Sequence, residues 1–186
     1  FNNVCGFMTF HGPMPSTDYT VHSSYTLDSL KENIFGYMPH RVYNPEGKAI
    51  SALTEGKACG IITGGNLSLL AGTLGSPYEI NAKDKIMFIE DVSEEPYRID
   101  KNLTALALAG KFNEAAGIVF GIFADCENKD TSQESLTLEQ IIEEVVLPCG
   151  KPVITGFHAG HIYPQPAIPM GAEAVLDTSK DYIEFI

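Results

Sequence analysis

The clearest indication of the fold comes from residues 86–123, IMFIEDVSEEPYRIDKNLTALALAGKFNEAAGIVFGIF. It opens with an uninterrupted apolar run at 86–89 and closes with a second apolar run at 117–123. Between them, residues 97–109 carry apolar side chains at the spacing of a helix with one buried face. Apolar strands that alternate with amphipathic helices are typical of a sheet with parallel strands. The stretch therefore predicts an α/β core.

Before this stretch, three short strand-like segments are separated by turn residues. The first turn, Asn44-Pro45-Glu46-Gly47, has Pro at its second position and Gly at its fourth, as a type I turn prefers. Because tight turns join antiparallel neighbours, we expect an antiparallel meander. Its predicted strands are residues 41–43, 49–53 and 58–63.

Further elements are predicted on either side of this centre. The apolar residues 4–10 predict a short strand, and residues 28–35 predict a short helix. Thr137-Leu138-Glu139-Gln140 has the spacing of a capping box and predicts the start of another helix. The last predicted strands are residues 152–155, 174–176 and 182–186. The expected fold class is α/β, more fully mixed α+β, with a partly parallel sheet, flanking helices and the antiparallel meander.

Length and composition limit the classes of protein that the chain can represent. With 186 residues, of which 44% are hydrophobic and 19% charged, it matches one ordinary globular domain. A formal net charge of -12 without a basic run argues against a nucleic-acid partner. No apolar run reaches the roughly 20 residues of a membrane-spanning helix, so no membrane partner is expected. Four scattered cysteines are expected to be buried, reduced thiols, which fits a cytoplasmic location.

Polar clusters follow apolar strands at three places in the sequence. Gly64-Gly65-Asn66 follows the meander, Glu90 follows the strand at 86–89, and a loop with His158 and His161 follows a later strand. Loops at strand ends converge on one edge of an α/β sheet and often carry function. A carboxylate and an imidazole at such an edge can form the orienting half of a nucleophilic triad, with Glu90 fixing the tautomer of His161.

The residues themselves leave other interpretations open. No nucleophile is evident, because none of the serines lies in a Gly-x-Ser-x-Gly turn and the cysteines lack an activating setting. His158 and His161 can be two ligands of a metal hydrolase, although a firm third ligand is missing. A loop histidine can equally be an ordinary surface residue. Gly64-Gly65 can cradle a phosphate, although neither known phosphate-binding spacing is present.

Short motifs occur in order along most of the chain. They are Gly64-Gly65-Asn66-Leu67, Leu74-Gly75-Ser76-Pro77-Tyr78, Ile89-Glu90-Asp91-Val92, Glu95-Pro96-Tyr97-Arg98-Ile99-Asp100, Leu108-Ala109-Gly110, residues 156–161, Pro169-Met170-Gly171-Ala172 and Leu176-Asp177. Each motif is weak by itself, but the ordered set resembles the serine LD-carboxypeptidases. This is the family of muramoyltetrapeptide carboxypeptidases, which includes the microcin-immunity hydrolases. One departure is Thr63, which stands where many relatives have Trp.

The resemblance implies a Ser-His-Glu triad in which Glu90 is the acid and His161 is the base. It also implies that Gly64, Gly65 and Asn66 bind substrate. The family needs no metal or other cofactor, so none is expected.

In that family the serine sits in an N-terminal domain. By resemblance, residues 1–40 are a lead-in from a missing nucleophile domain, residues 41–186 are the C-terminal domain, and the chain alone is expected to be inactive. The implied activity is removal of the terminal D-alanine from murein tetrapeptides in cell-wall recycling. Its implied partners are a murein peptide, the N-terminal domain and a second copy in a homodimer. The alternatives are a microcin-type peptide-nucleotide hydrolase of the same family and a non-catalytic peptide-binding domain.

Overall fold

The computed structural model describes residues 2–14, 23–36, 39–129, 132 and 134–186. Its strands are β1 (Thr9–His11), β2 (His40–Tyr43), β3 (Ser51–Thr54), β4 (Lys57–Asn66), β5 (Ile86–Val92), β6 (Gly117–Ala124), β7 (Val153–Thr155), β8 (Ile168–Met170), β9 (Glu173–Asp177) and β10 (Tyr182–Phe185). Its helices are α1 (Asn2–Cys5), α2 (Ser24–Phe35), α3 (Leu67–Gly72), α4 (Pro96–Leu108), α5 (Lys111–Glu114) and α6 (Leu138–Val145), and a 3-10 helix follows at Leu147–Cys149. None of the described helices is long and apolar enough to cross a membrane.

Eight strands form one mixed sheet in the order β2-β10-β9-β4-β5-β6-β7-β3. Its centre, from β4 through β5 and β6 to β7, is parallel. The outer strands β2, β10, β9 and β3 make antiparallel pairs. Strands β1 and β8 form a separate antiparallel pair. The predicted fold class, mixed α/β with a partly parallel sheet and flanking helices, is confirmed.

Strand β5 lies at the centre because residues 86–89 are apolar on both faces of the strand. Ile86, Met87, Phe88 and Ile89 are all fully buried. Met87 and Ile89 pack with side chains of α3, α4 and α6 in what we call the helix-side cluster. Ile86 and Phe88 pack in a second cluster with β9 and β10. Burying one side chain of this size stabilises the fold by about 1.5–3 kcal/mol. Both faces of β5 therefore hold it in the sheet.

The antiparallel strands are present, but the predicted meander is wrong. Strand β2 pairs with β10, β3 pairs with β7 at the opposite edge, and β4 lies between β9 and β5. The predicted turn does form, with Lys48 N donating to Pro45 O at 3.1 Å. However, this turn does not determine which strands pair with the two strands that it connects. The long apolar β4 takes the buried centre and the exposed β3 takes an edge, because burial of apolar surface decides the order.

The strand predicted at residues 4–10 is wrong in its first half. Asn2–Cys5 form helix α1, and only Thr9–His11 form a strand. Val4 is 64% exposed and Phe7 is 65% exposed. The apolar character of this segment therefore does not mark a buried strand.

The cysteines are only partly as predicted. All four are free thiols, but Cys5 and Cys59 are exposed, Cys149 is half-buried and Cys126 is buried. Cys126 packs with the helix-side cluster, where a free thiol acts as a small apolar side chain.

We expect Thr137→Ala to lower the free energy of unfolding by about 0.5–2 kcal/mol. Thr137 Oγ1 accepts from Gln140 N at 3.3 Å, and Thr137 N donates to Gln140 Oε1 at 2.9 Å, so the predicted capping box is confirmed. Urea unfolding followed by circular dichroism measures the loss. Thr137→Ser keeps the hydroxyl and should lose much less. Equal losses in the two variants would show that the cap is not responsible.

Candidate active site

Glu90 lies near the carboxyl end of β5, beside Asn66 at the end of β4. Side chains alternate between the two faces of a strand, so Glu90 shares the face of Ile86 and Phe88 and points away from the helix-side cluster. Its side chain is 0% exposed. Because a buried carboxylate is costly unless other groups compensate it, its neighbours define the site.

His161 reaches Glu90 from the loop that follows β7. This loop runs along β6, where Ile122 N donates to Ala159 O at 2.9 Å. Gly160 has φ +126°, and a Cβ there would lie 2.9 Å from Glu90 Oε2, so glycine lets the loop pass directly over the carboxylate. His161 Nδ1 lies 2.8 Å from Glu90 Oε2. The structure thus brings together the residues predicted as acid and base.

A second histidine approaches the other oxygen of the same carboxylate. His11 Nε2, at the end of β1, lies 3.5 Å from Glu90 Oε1. Burial acts to raise the pKa of the Glu90 carboxyl, but the contacts with His11 and His161 outweigh it and hold this pKa below its usual value. Glu90 is therefore an anion at neutral pH.

The contact between Glu90 and His161 has the geometry of an acid that orients a base. When Nδ1–H donates to Glu90, His161 Nε2 carries a lone pair, and this side chain is 53% exposed. The carboxylate then stabilises the imidazolium that forms when Nε2 accepts a proton. Ser68 is not the proton donor in this arrangement, because its hydroxyl donates to Asp91 Oδ2 at 2.7 Å. The pair can serve a nucleophile placed on its open side.

The residues predicted to bind substrate lie at the end of β4. Gly64 has φ +125° and Gly65 has φ +135°. A Cβ on Gly64 would collide with the carbonyl oxygen of Phe88, whereas a Cβ on Gly65 would meet open space. Asn66 is the N-cap of α3 and accepts from Leu69 N at 3.2 Å. Their contact with substrate stays a prediction.

Asp91 organises the same strand end from the helix side. It is 2% exposed, and its Oδ1 accepts from Asn66 Nδ2 at 2.7 Å. Its Oδ2 accepts from Ser68 N at 3.0 Å and from Ser68 Oγ at 2.7 Å. The oxygen of the Asn66 amide is used by the cap, and its nitrogen is used by Asp91. A substrate contact by this side chain would therefore use the second hydrogen of the nitrogen or the remaining lone pair of the oxygen.

His158, the other histidine of the loop, has a different role. It is buried, its Nδ1 donates to Pro164 O at 2.9 Å, and its backbone N donates to Asn44 Oδ1 at 2.8 Å. Burial lowers the pKa of the His158 imidazole, which favours its neutral form. Within the described part of the chain, no three His, Cys, Asp or Glu side chains are grouped as a metal site needs. The geometry gives no support to His158 and His161 as metal ligands.

Comparison with known proteins decides the family. Residues 59–176 match the family model of the LD-carboxypeptidase C-terminal domain. The chain belongs to the LD-carboxypeptidase C-terminal domain family. The "Probable murein peptide carboxypeptidase" of Bacillus subtilis (strain 168) is 41% identical over 175 residues, which cover 94% of this chain and 54% of that protein. The "Microcin C7 self-immunity protein MccF" of Escherichia coli is 32% identical over 203 residues, which cover 92% and 57%.

A solved structure shares the fold of this LD-carboxypeptidase domain. The muramoyltetrapeptide carboxypeptidase from Oxalobacter formigenes superposes with a TM-score of 0.81 at 24% identity, covering 97% of this chain and 61% of that one. The chain thus spans about half the length of the curated relatives that it matches. The resemblance seen in the sequence motifs is confirmed.

Sequence reasoning missed two residues of this candidate site. His11 stands at the end of β1, so it is a polar side chain at a strand end, which is the signal that singled out Glu90 and His161. The strand predicted at residues 4–10 ends one residue before His11, so His11 was not recognised as part of a strand. Asp91 was noted beside Glu90, but its hydrogen bonds to Asn66 depend on tertiary packing.

We expect Gly64→Ala to destabilise the LD-carboxypeptidase domain far more than Gly65→Ala. Both glycines have a positive φ, which costs another residue on the order of 1–3 kcal/mol. Only at Gly64 would the new methyl group also collide with Phe88 O. Thermal unfolding of the two purified variants compares them, with Gly65→Ala as the matched control. Equal melting temperatures would contradict the close approach of β4 to β5.

We expect stability to fall more steeply with acid in the native chain than in Glu90→Gln. The pKa of Glu90 is lower in the folded than in the unfolded chain, so its ionisation stabilises the fold above the unfolded pKa. That contribution is lost as the pH falls through the folded pKa. Chemical unfolding at a series of pH values measures how steeply the free energy of unfolding falls with acid in each chain. The variant Glu143→Gln, changed at an exposed site, should lose stability as steeply as the native chain. An equally steep loss in Glu90→Gln would refute the expectation.

Proposed function

We propose that this chain is the C-terminal domain of a serine carboxypeptidase that removes the terminal D-alanine from murein tetrapeptides. Glu90 and His161 are then the acid and the base of a Ser-His-Glu triad. The observation that carries the proposal is the 2.8 Å contact of His161 Nδ1 with the fully buried Glu90 carboxylate. The serine would come from an upstream segment, in keeping with the 54% of the Bacillus subtilis protein that the chain covers.

The proposed mechanism follows from the open side of His161. The serine hydroxyl loses its proton to His161 Nε2 while its oxygen attacks the carbonyl carbon of the LD-peptide bond. Glu90 holds the resulting imidazolium, which next protonates the amine of the leaving D-alanine. Water then attacks the acyl carbon while His161 Nε2 takes its proton; the acyl–serine bond breaks, the serine oxygen regains this proton from His161, and the tripeptide is released with a new carboxylate. Every proton passes through His161 Nε2, and Glu90 stays ionised.

The carboxypeptidase activity is preferred over the microcin-type hydrolysis of the same family. The chain is 41% identical to the Bacillus subtilis relative and 32% identical to MccF. Both activities would use the same acid and base, so the choice depends on substrate contacts near residues such as Asn66. A role in cell-wall recycling, a cytoplasmic location and a homodimer are further parts of this proposal.

We expect Glu90→Gln and His161→Ala to lower kcat/KM for a murein tetrapeptide by about 10³-fold or more, because triad members act as a unit. The variants are made in the protein that carries this chain together with its upstream segment. Release of D-alanine, followed by chromatography, measures the rate.

The matched control for this experiment is Lys129→Ala, a change at an exposed residue that pairs only with Asp125 among the described residues. It should keep the native rate. Native activity in the Glu90→Gln and His161→Ala double variant would rule out the triad. Cleavage of a peptidyl nucleotide without release of D-alanine would favour the microcin-type activity.

A further inference from the structure

We propose that His11 is a positioning residue for the buried carboxylate. Its Nε2–H donates to Glu90 Oε1, fixes the plane of the carboxylate and thereby keeps the proton of His161 on Nδ1. The inference deepens the proposed function and rests on it, because it concerns how the acid of the triad is held.

The two oxygens of Glu90 differ in their partners. Oε2 contacts His161 Nδ1 at 2.8 Å. Oε1 is buried, and no described residue gives it a hydrogen bond of ordinary length. His11 Nε2 is 3.5 Å away, which is long for a hydrogen bond. Contacts around a catalytic group are often long without substrate and tighten when it binds.

A donor on the second oxygen has a specific effect on the carboxylate. The last torsion of a glutamate is broad and nearly two-fold, so one hydrogen bond leaves the plane of the carboxylate poorly fixed. Donors on opposite oxygens, from His11 and His161, remove this freedom. Oε2 then stays in line with His161 Nδ1, and the lone pair of His161 Nε2 stays on the exposed side.

The tautomer of His11 follows from the burial of its other nitrogen. His11 Nδ1 is also buried, and no described residue offers it a hydrogen bond. A neutral imidazole has a single N–H. With the proton on Nδ1, a buried donor would be unpaired and the lone pair of Nε2 would face a carboxylate. The Nε2–H tautomer avoids both costs.

The position of His11 is fixed by contacts on both sides of its strand. Strand β1 pairs with β8, with His11 opposite Ile168. The imidazole lies edge-on to Phe88, with 5.1 Å between ring centroids and an interplanar angle of 75°. Phe88 and Glu90 lie on the same face of β5. The packing of His11 against Phe88 therefore also places its imidazole beside the carboxylate.

Both titratable groups recorded against the Glu90 carboxylate in the described part of the chain are histidines, His11 from β1 and His161 from the loop after β7. Asp91, the next acid on β5, is hydrogen-bonded to Asn66 and Ser68 instead. Apart from burial, the groups that act on the pKa of Glu90 are therefore these two histidines.

Two variants separate hydrogen bonding from packing. His11→Phe keeps an aromatic side chain against Phe88 and removes the donor. His11→Gln keeps an N–H donor at about the reach of Nε2 and removes the ring. The titration of the Glu90 carboxyl is followed by ¹³C NMR in this chain. We expect His11→Phe to raise the pKa of Glu90 by about one unit or more and His11→Gln to raise it much less.

The opposite ranking, with His11→Gln disturbing Glu90 and His11→Phe leaving it unchanged, would show that His11 only packs and would overturn the proposal. If His11→Phe does not fold, ¹⁵N shifts of the native imidazoles decide the question. They should show His11 protonated on Nε2 and His161 protonated on Nδ1, and a proton on His11 Nδ1 would refute the assignment.

Activity assays of variants, made in the protein that carries this chain together with its upstream segment, distinguish this inference from the proposed function. His11→Phe should lower kcat with little change in KM, and His11→Gln should recover part of the loss. If Glu90→Gln leaves activity intact, the proposed triad fails. The NMR titration of Glu90 still tests the contact with His11 in that case. An unchanged kcat in His11→Phe, with a sensitive Glu90→Gln, would overturn the positioning role alone.

Discussion

The site depends on the electrostatic compensation of one carboxylate that has no contact with solvent. Glu90 is 0% exposed, and an uncompensated anion in such a place would be strongly unfavourable. The imidazoles of His161 and His11 face its two oxygens at 2.8 Å and 3.5 Å. The carboxylate stays ionised because these contacts outweigh the cost of burial. Its charge in turn orients His161, so one contact serves both the stability of the fold and the proposed chemistry.

The fold brings distant parts of the chain to this carboxylate. Glu90 stands near the end of a parallel central strand, His161 follows the next parallel strand but one, and His11 belongs to a strand outside the main sheet. Parallel strands end at the same edge, so their following loops meet there. Gly160 allows the loop with His161 to cross the carboxylate at a distance that a side chain would not permit. The position of the site is thus a consequence of the sheet.

Local sequence signals predicted the parts of the structure that depend on local physics. The capping box at Thr137 and the apolar run 86–89 of β5 are both set by residues close in sequence, and both were predicted. The meander prediction failed because the neighbours of β2 and β3 are β10 and β7, which lie far away in the sequence. Turn residues carry no information about such partners. Strand order is decided by which strands bury most apolar surface.

The same distinction explains what was predicted of the site. Glu90 and His161 were found because each is a polar residue after an apolar strand and the ordered motifs matched a family. His11 was missed because the strand that carries it was predicted too early, and its importance depends on a pairing with β8. As a polar residue after an apolar strand, His158 was as suggestive as His161, and only the family resemblance selected His161. In the structure the ring of His158 faces a carbonyl oxygen and not a carboxylate.

The adjacent acids of β5 show how one strand end serves both faces of the sheet. Alternation sends Glu90 to one face, where two histidines meet it, and Asp91 to the other face, where Asn66 and Ser68 bind it. Asp91 thereby fixes the junction of β4 and α3, beside the predicted substrate-binding residues. Exchange of the two acids would place the shorter carboxylate against the histidines and the longer one against Asn66 and Ser68. The order Glu-Asp therefore carries structural information, because the longer acid reaches His161 and the shorter one binds the adjacent junction of β4 and α3.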